Sequence, residues 1–244
     1  MGSPMIAESL DYLRDGDNAI VTVLIGGALL LASPLVVPSI LVLGYVSRVL
    51  RRTADGDDTP PVFDAWGDLL IEGTKGFVVA LVYSLVPLAV FAVAAVFGVG
   101  AAVIGSGGGS GSLFGGLIGG ALAVLLALAA LAVSLVGLYV TPAALAAVAD
   151  SGRIGDGFAV GTLWTVVTKR AYAIGWLTAA AVVLAGVLAV GVLSVVPVLG
   201  TIAGLFVQFY ALVAAAAVIG WTWTEVRPVA ADSTDTEPAE RPAV

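Results

Sequence analysis

The chain has 244 residues, of which 60% are hydrophobic and 11% charged, with a mean hydropathy of +1.10. A soluble domain is about 45–50% apolar and about 25% charged, so this composition describes an integral membrane protein. Ten Lys and Arg against 17 Asp and Glu leave a net charge of −7, which excludes a nucleic-acid partner because phosphates need a basic face.

The chain contains no Cys and no His. Disulfides, thiolate chemistry, Cys/His zinc sites and His-based triads are therefore excluded, and the redox compartment is unreadable. The acid excess fits a halophilic source, since at about 1 M salt the Debye length falls to about 3 Å and crowded surface carboxylates repel little.

Residues 1–18 form an acidic N-terminal segment with Glu8, Asp11, Asp15 and Asp17. A secretory leader needs a basic start, so no cleaved leader is expected. Three uncharged stretches follow: Ala19–Ser47 (29 residues), Gly76–Ala149 (74) and Ala171–Thr224 (54). One span takes about 20 residues to cross about 30 Å of hydrocarbon, so the second and third stretches each hold two spans.

The first stretch is too long for one upright span and too short for two, and Pro34 and Pro38 lie in its middle. Proline removes a backbone donor and breaks or kinks a helix. The stretch is either one bent span or a shallow hairpin of two half-length segments, and the hairpin is preferred. In the second stretch the break is Gly105–Ser112, a linker composition, which leaves spans near 77–104 and 113–140. A phosphate cradle would need a following Lys, and none is there. In the third, Pro197–Gly200 separates spans near 172–196 and 201–223.

Arg48, Arg51, Arg52 and Lys75 follow the first stretch, and Arg153, Lys169 and Arg170 follow the third span, whereas the glycine loop and the Pro197 turn carry no base. Basic loops face the cytoplasm, so loops 48–75 and 150–170 and the C-terminus are expected there. The N-terminus joins them if the first stretch is a hairpin. Trp66, Trp164, Trp176, Trp221 and Trp223 all fall toward this end, where indole prefers the membrane interface.

Thr59–Lys75 reads as an interfacial helix. Phe63, Trp66, Leu69 and Leu70 share one face, and Asp64, Asp68 and Glu72 recur every four residues on another. Residues 152–170 read as a second such helix, with Val160, Leu163, Trp164 and Val167 as its apolar stripe. Each follows a tyrosine (Tyr45, Tyr139) and a short acidic turn and contains an aromatic (Phe63, Phe158), a weak internal repeat of span, interfacial helix and span. The fold expected is an all-α polytopic bundle: five full spans, or four plus the Pro-broken hairpin, with two interfacial amphipathic helices.

Ile25-Gly-Gly27, the run Leu43-Gly-Tyr-Val-Ser-Arg-Val-Leu-Arg51 and the run Pro61–Lys75 resemble the archaeal membrane family called domain of unknown function 4013. The similarity covers about residues 5–225 and is richest in motifs in the first third. Tyr45, Arg48, Arg51, Asp64, Trp66, Gly67 and Lys75 stand in its motif segments. The resemblance implies a multi-pass membrane protein and carries over no catalytic residue.

Ionisable groups inside spans mark ion-coupled or voltage-sensing proteins, and the uncharged stretches hold none. Gln208 and Tyr210 are their most unusual polar residues, read as interhelical hydrogen bonds worth about 0.6 kcal/mol or as a contact for a neutral solute. Gly115, Gly116, Gly119 and Gly120, and Gly200 with Gly204, allow close helix packing. That packing lies within the bundle or, as a sharper reading, in a homo-oligomer. The tail 225–244, rich in Pro, Ala, Thr and acids, is read as disordered.

Membrane lipids are the expected partners, and no cofactor, resident metal or catalytic residue is expected. The leading functional expectation is a non-enzymatic structural or accessory protein of the cytoplasmic membrane. The alternative is a permease or channel for a small neutral solute. An enzyme, with Asp64, Asp68 and Glu72 around a divalent metal, comes third.

Overall fold

The computed structural model describes residues 2–16 and 18–227. The expected disordered tail lies outside them, apart from residues 225–227. Among the described residues there is no strand. The helices are α1 (Gly2–Tyr12), α2 (Ala19–Leu31), α3 (Val36–Ala54), α4 (Trp66–Gly105), α5 (Ser110–Ser151), α6 (Val160–Val167), α7 (Arg170–Leu193) and α8 (Leu199–Val226), with a 3-10 turn at Ile154–Phe158 before α6. Four of them, α4, α5, α7 and α8, are long and apolar enough to cross a membrane. The molecule is a helical membrane bundle.

The first uncharged stretch is a broken hairpin. α2 has 13 residues and so rises about 20 Å, short of the hydrocarbon thickness of about 30 Å. Its turn, Ala32–Leu35, therefore ends inside the apolar layer. Backbone there must find internal partners, and most of the turn does. Ala32 N–H bonds Ala28 O, Ser33 N–H bonds Leu30 O, and Leu35 N–H bonds Ala32 O. The Ser39 hydroxyl donates back to Ser33 O at 3.2 Å. Pro34 and Pro38 have no N–H to satisfy, so the helix breakers lower the polar cost of turning in lipid. α3 then runs past Ser47 to Ala54, which lifts Arg48, Arg51 and Arg52 onto a helix.

α4 and α5 pair along their length, as do α7 and α8. α3 joins the pairs by packing on α4, α8 and α5. The crossing of α3 and α4 has no side chain between the backbones. A Cβ at Gly44 would run into Leu69 O, and one at Gly73 would run into Ile40 O. On the other flank α2 lays Gly26 against the ring of Phe209 and Gly27 against that of Phe206. The core, with Tyr45, Val49, Leu69, Phe209, Val213 and Val218 fully buried, lies where α3 meets α4 and α8.

The expected interfacial helix at 59–75 is not a separate element. Residues 59–65 form an irregular loop, and helix begins at Trp66, after Ala65 at φ 44°, and continues unbroken to Gly105. No helix breaker separates Trp66 from the span, and the contact at Gly73 holds these turns upright against α3. The second interfacial segment is also shorter than expected. α6 has eight residues and buries Leu163, Val166 and Val167, leaving Val160 and Trp164 exposed. Its apolar face is thus one position off the expected stripe, because α6 packs beneath the end of α5.

Among the glycines read as packing residues, Gly116 lies against Gly105 and Ala101 O, Gly119 against Ala101, and Gly204 against Val190, whereas Gly120 faces open space. At the turn before α8, Leu199 N–H bonds Pro197 O at 2.7 Å across Val198 at φ 64°. This γ-turn is strained for a β-branched residue.

Gly44→Ala and Gly73→Ala are expected to be strongly destabilising, because a rigid carbonyl blocks the new methyl. Overpacking costs about 1–3 kcal/mol, which for a chain of this size lowers the melting temperature by roughly 2–12 °C. Gly100→Ala, which meets open space, should leave melting in detergent unchanged. Val198→Gly is expected to raise stability by about 1 kcal/mol through relief of the positive φ, read in the same melting assay.

Candidate functional site

The charged residues that follow the first and second uncharged stretches come together at one end of the bundle. Lys75 Nζ bonds Gly152 O at 2.8 Å, at the end of α5. Lys169 Nζ bonds Val226 O at 2.8 Å, at the end of α8. Each ammonium meets helix-terminal carbonyls, where the helix dipole favours positive charge. Gly152, at φ 70°, adopts the left-handed conformation that closes α5. Trp223 Nε1 donates to Asp150 at 3.0 Å, Trp221 Nε1 donates to Asp58 at 2.6 Å, and Thr224 donates to Ala54 O at 3.0 Å. These contacts tie α3, the α4–α5 pair and the α7–α8 pair together at this basic end.

Its most built part joins α3 to the start of α4. Arg48 is 8% exposed. A buried guanidinium must be paired, and Nη1 bonds Asp64 at 2.5 Å and the carbonyls of Val62 and Asp64 at 3.3 and 3.4 Å. Its Nε lies 3.9 Å from Glu72, whose other oxygen takes Arg51 Nη1 at 2.5 Å. Glu72 thus bridges two guanidinium groups on successive turns of α3. Tyr45, one turn before Arg48, donates to Pro61 O at 2.9 Å and stacks on Phe63 with centroids 4.4 Å apart. Phe63 in turn lies 5.8 Å from Trp66. Arg48 and Tyr45 together hold the loop that turns the chain into α4.

Of the motif residues, Tyr45, Arg48, Arg51 and Asp64 meet here. Lys75 lines the same open cup, of about 380 Å³, but bonds α5. Trp66 begins α4, 45% exposed, and the exposed Gly67 meets nothing. The three carboxylates do not form a triad. Asp64 lies outside the helix, Glu72 is taken by two arginines, and Asp68 is exposed with no ion pair among the described residues. Among the described residues no group of three acidic side chains is placed to hold a metal ion. The arrangement is an ion-pair clamp in which Asp64 and Glu72 both pair with arginines of α3, while the buried Oε2 of Glu72 makes no hydrogen bond among the described residues.

Tyrosines act as pins elsewhere too. Tyr83 donates to Gly157 O at 3.1 Å, Tyr139 to Val167 O at 2.8 Å, and Tyr172 to Tyr139 O at 2.7 Å. The repeat reading holds for Tyr45 and Tyr139, each of which bonds the carbonyl of its following segment. The aromatics differ in their contacts: Phe63 stacks on Tyr45, whereas Phe158 stacks on Tyr83 of α4. Tyr210 donates to Leu10 O on α1. Gln208, half-buried, has no side-chain hydrogen bond among the described residues, so the expected interhelical bond is not made there. The bridging role of Glu72 and the pinning by Tyr172 are absent from any linear motif. Their only trace is that each polar residue abuts an uncharged stretch.

Two acidic turns show depressed carboxyl pKa values. Thr59, through its backbone N–H and its hydroxyl, holds Asp57 below the ordinary carboxylate range, and Ser151 and Arg153 do the same for Asp156. A carboxylate with a lowered folded pKa stabilises above its unfolded pKa and loses that contribution as pH falls. The loops at 55–60 and 151–158 are therefore expected to loosen below about pH 4, seen as faster amide exchange there before global unfolding. Glu72→Gln is expected to cost about 3 kcal/mol, the lower end of what losing one partner of a buried pair costs, because Arg51 is partly exposed. Asp64→Asn, whose carboxylate is 65% exposed, should cost under about 1 kcal/mol. Denaturation in mixed micelles gives both numbers.

A family profile described as "Protein of unknown function (DUF4013)" matches residues 27–196, from the re-entrant hairpin through the clamp to the turn before α8. No curated protein and no solved structure matches the chain. The match spans more than half of the sequence and includes Tyr45, Arg48, Asp64 and Glu72, so the chain belongs to the DUF4013 family of proteins of unknown function.

Proposed function

We propose that this chain is a non-enzymatic, structural or accessory component of the cytoplasmic membrane. The observation that carries the reading is where the polar chemistry goes. The ion pairs Arg48–Asp64, Arg51–Glu72 and Arg227–Asp150 and the tyrosine pins join one segment of the chain to another at the basic end. The packing of α3 on α8 is apolar, with Tyr45 against Phe209 and with Val49, Val213 and Ala217 buried in the same core. In this reading the basic end faces the cytoplasm, in keeping with the bias of Lys and Arg. The N-terminus lies on the same side, because α2 and α3 form a hairpin. Membrane lipids are the partners, nucleic acid is not, and the net charge of −7 belongs to a salt-adapted archaeal surface.

One feature favours a second reading, a permease for a small neutral solute: the re-entrant α2–α3 hairpin, with the half-buried amide of Gln208 on neighbouring α8. Proteoliposomes distinguish the two. The expected result is no saturable uptake of urea, glycerol or small sugars above protein-free vesicles, and saturable uptake lost in Gln208→Leu would establish the permease. The absence of native Cys makes the topology directly testable. Asp55→Cys and Arg153→Cys are expected to react with an impermeant maleimide only after permeabilisation, and Ser106→Cys in intact cells.

A further inference from the structure

The α4–α5 and α7–α8 pairs are fastened at the same end but differ in apolar length. From Gly76, α4 runs uncharged to Gly105, 30 residues or about 45 Å, whereas α7 from Ala171 to Leu193 has 23, or about 35 Å. A stretch longer than its bilayer tilts. α5 touches α8 only lightly, and α4 has no substantial contact with either α7 or α8.

Between the pairs lies a slot of about 460 Å³, floored by α3 and walled by Leu138 and Leu145 of α5, Ala180 and Val183 of α7, and Ala216 of α8. No charged residue lines it. Two bonds set its width: Trp176 Nε1 donates to Leu138 O at 3.2 Å, and Tyr172 donates to Tyr139 O at 2.7 Å. Because these side chains both tie α5 to α7 and hold the backbones apart, the slot is present before any ligand arrives.

Its dimensions choose the occupant. The lining of α7 runs from Trp176 to Val187, a rise of about 16 Å. Measured between the van der Waals surfaces of its walls, the slot averages roughly 9 Å across. A helix with its side chains is about 10–12 Å across and does not fit. An extended aliphatic chain, which packs on its neighbours at carbon–carbon distances of about 3.5–4.0 Å, does. We propose that this slot is a binding site for one hydrocarbon chain of a membrane lipid, which wedges between the two helix pairs as a retained component of the fold. The competitor is bulk lipid, equally apolar, so retention comes from close packing along the slot and selects for chain shape.

The test uses the full chain, purified from membranes of dioleoylphosphatidylcholine and examined by native mass spectrometry in detergent. Wild type, and Ala129→Leu on the exposed outer face of α5, are expected to keep one lipid per protein. Ala180→Leu and Ala216→Leu fill the slot and should lower that occupancy about fourfold or more, the equivalent of displacing one methylene. Circular dichroism and the melting temperature report whether they fold. If the filling variants do not fold, Leu184→Ala, which widens the slot, is read instead. It should shift retention toward diphytanoylphosphatidylcholine, whose chains are branched. Equal occupancy in all folded variants, no retained lipid in wild type, an unchanged chain preference in Leu184→Ala, or a protein dimer lost with Ala216→Leu would each overturn the proposal.

Discussion

Where α3 crosses α4, Gly44 meets Leu69 O and Gly73 meets Ile40 O with no side chain between the two backbones. Lipid tails are as apolar as the side chains, so helices in a bilayer gain little from hydrophobicity alone and associate through close packing and hydrogen bonds. Small residues permit that packing. Once α3 and α4 meet at this distance, the next turns of each are aligned, and the alignment brings Arg48 and Arg51 beside Asp64 and Glu72. The clamp is thus a consequence of the crossing. Its ion pairs then define the height at which the chain leaves the apolar layer.

The two ends of the bundle are built on different physics. At the basic end, guanidinium groups, ammonium groups, indoles and phenols take up backbone carbonyls and carboxylates, and nearly every contact links different elements. At the other end the loops are Gly- and Pro-rich and uncharged, and the helix pairs diverge. The α2–α3 hairpin is intermediate. It turns inside the apolar layer, where the N–H groups of Ala32, Ser33 and Leu35 are bonded and Pro34 and Pro38 have none to satisfy. The asymmetry explains why the core sits where α3, α4 and α8 converge, near the basic end, while the distal halves of α4 and α5 expose Leu, Val and Phe to lipid.

The slot between the helix pairs follows from the same asymmetry. The two pairs are tied at the basic end, but α5 touches α8 only lightly and α4 makes no substantial contact with α7 or α8. The space between them is lined by apolar side chains alone, and small residues such as Ala180 and Ala216 leave it open. A lipid chain there would complete the packing of a fold that its own side chains leave open.

The membrane location, the paired spans and the broken first stretch were legible in the sequence, because each rests on a one-dimensional quantity. Charge-free length gives the spans, Gly and Pro give the breaks, and the bias of Lys and Arg groups the basic loops. Which face of Thr59–Lys75 is buried was not legible. The spacing of Phe63, Trp66, Leu69 and Leu70 fits an amphipathic surface helix as well as the upright turns of α4, and only the contact at Gly73 decides between them. The partition of Asp64, Asp68 and Glu72 into one loop contact, one free surface acid and one bridge was likewise settled by α3, which lies far off in sequence from none of them yet is invisible to any helical-wheel pattern. Periodicity reports the geometry of a single helix. Ion pairing, burial and the width of a cleft belong to the distances between helices, and those exist only once the chain has folded.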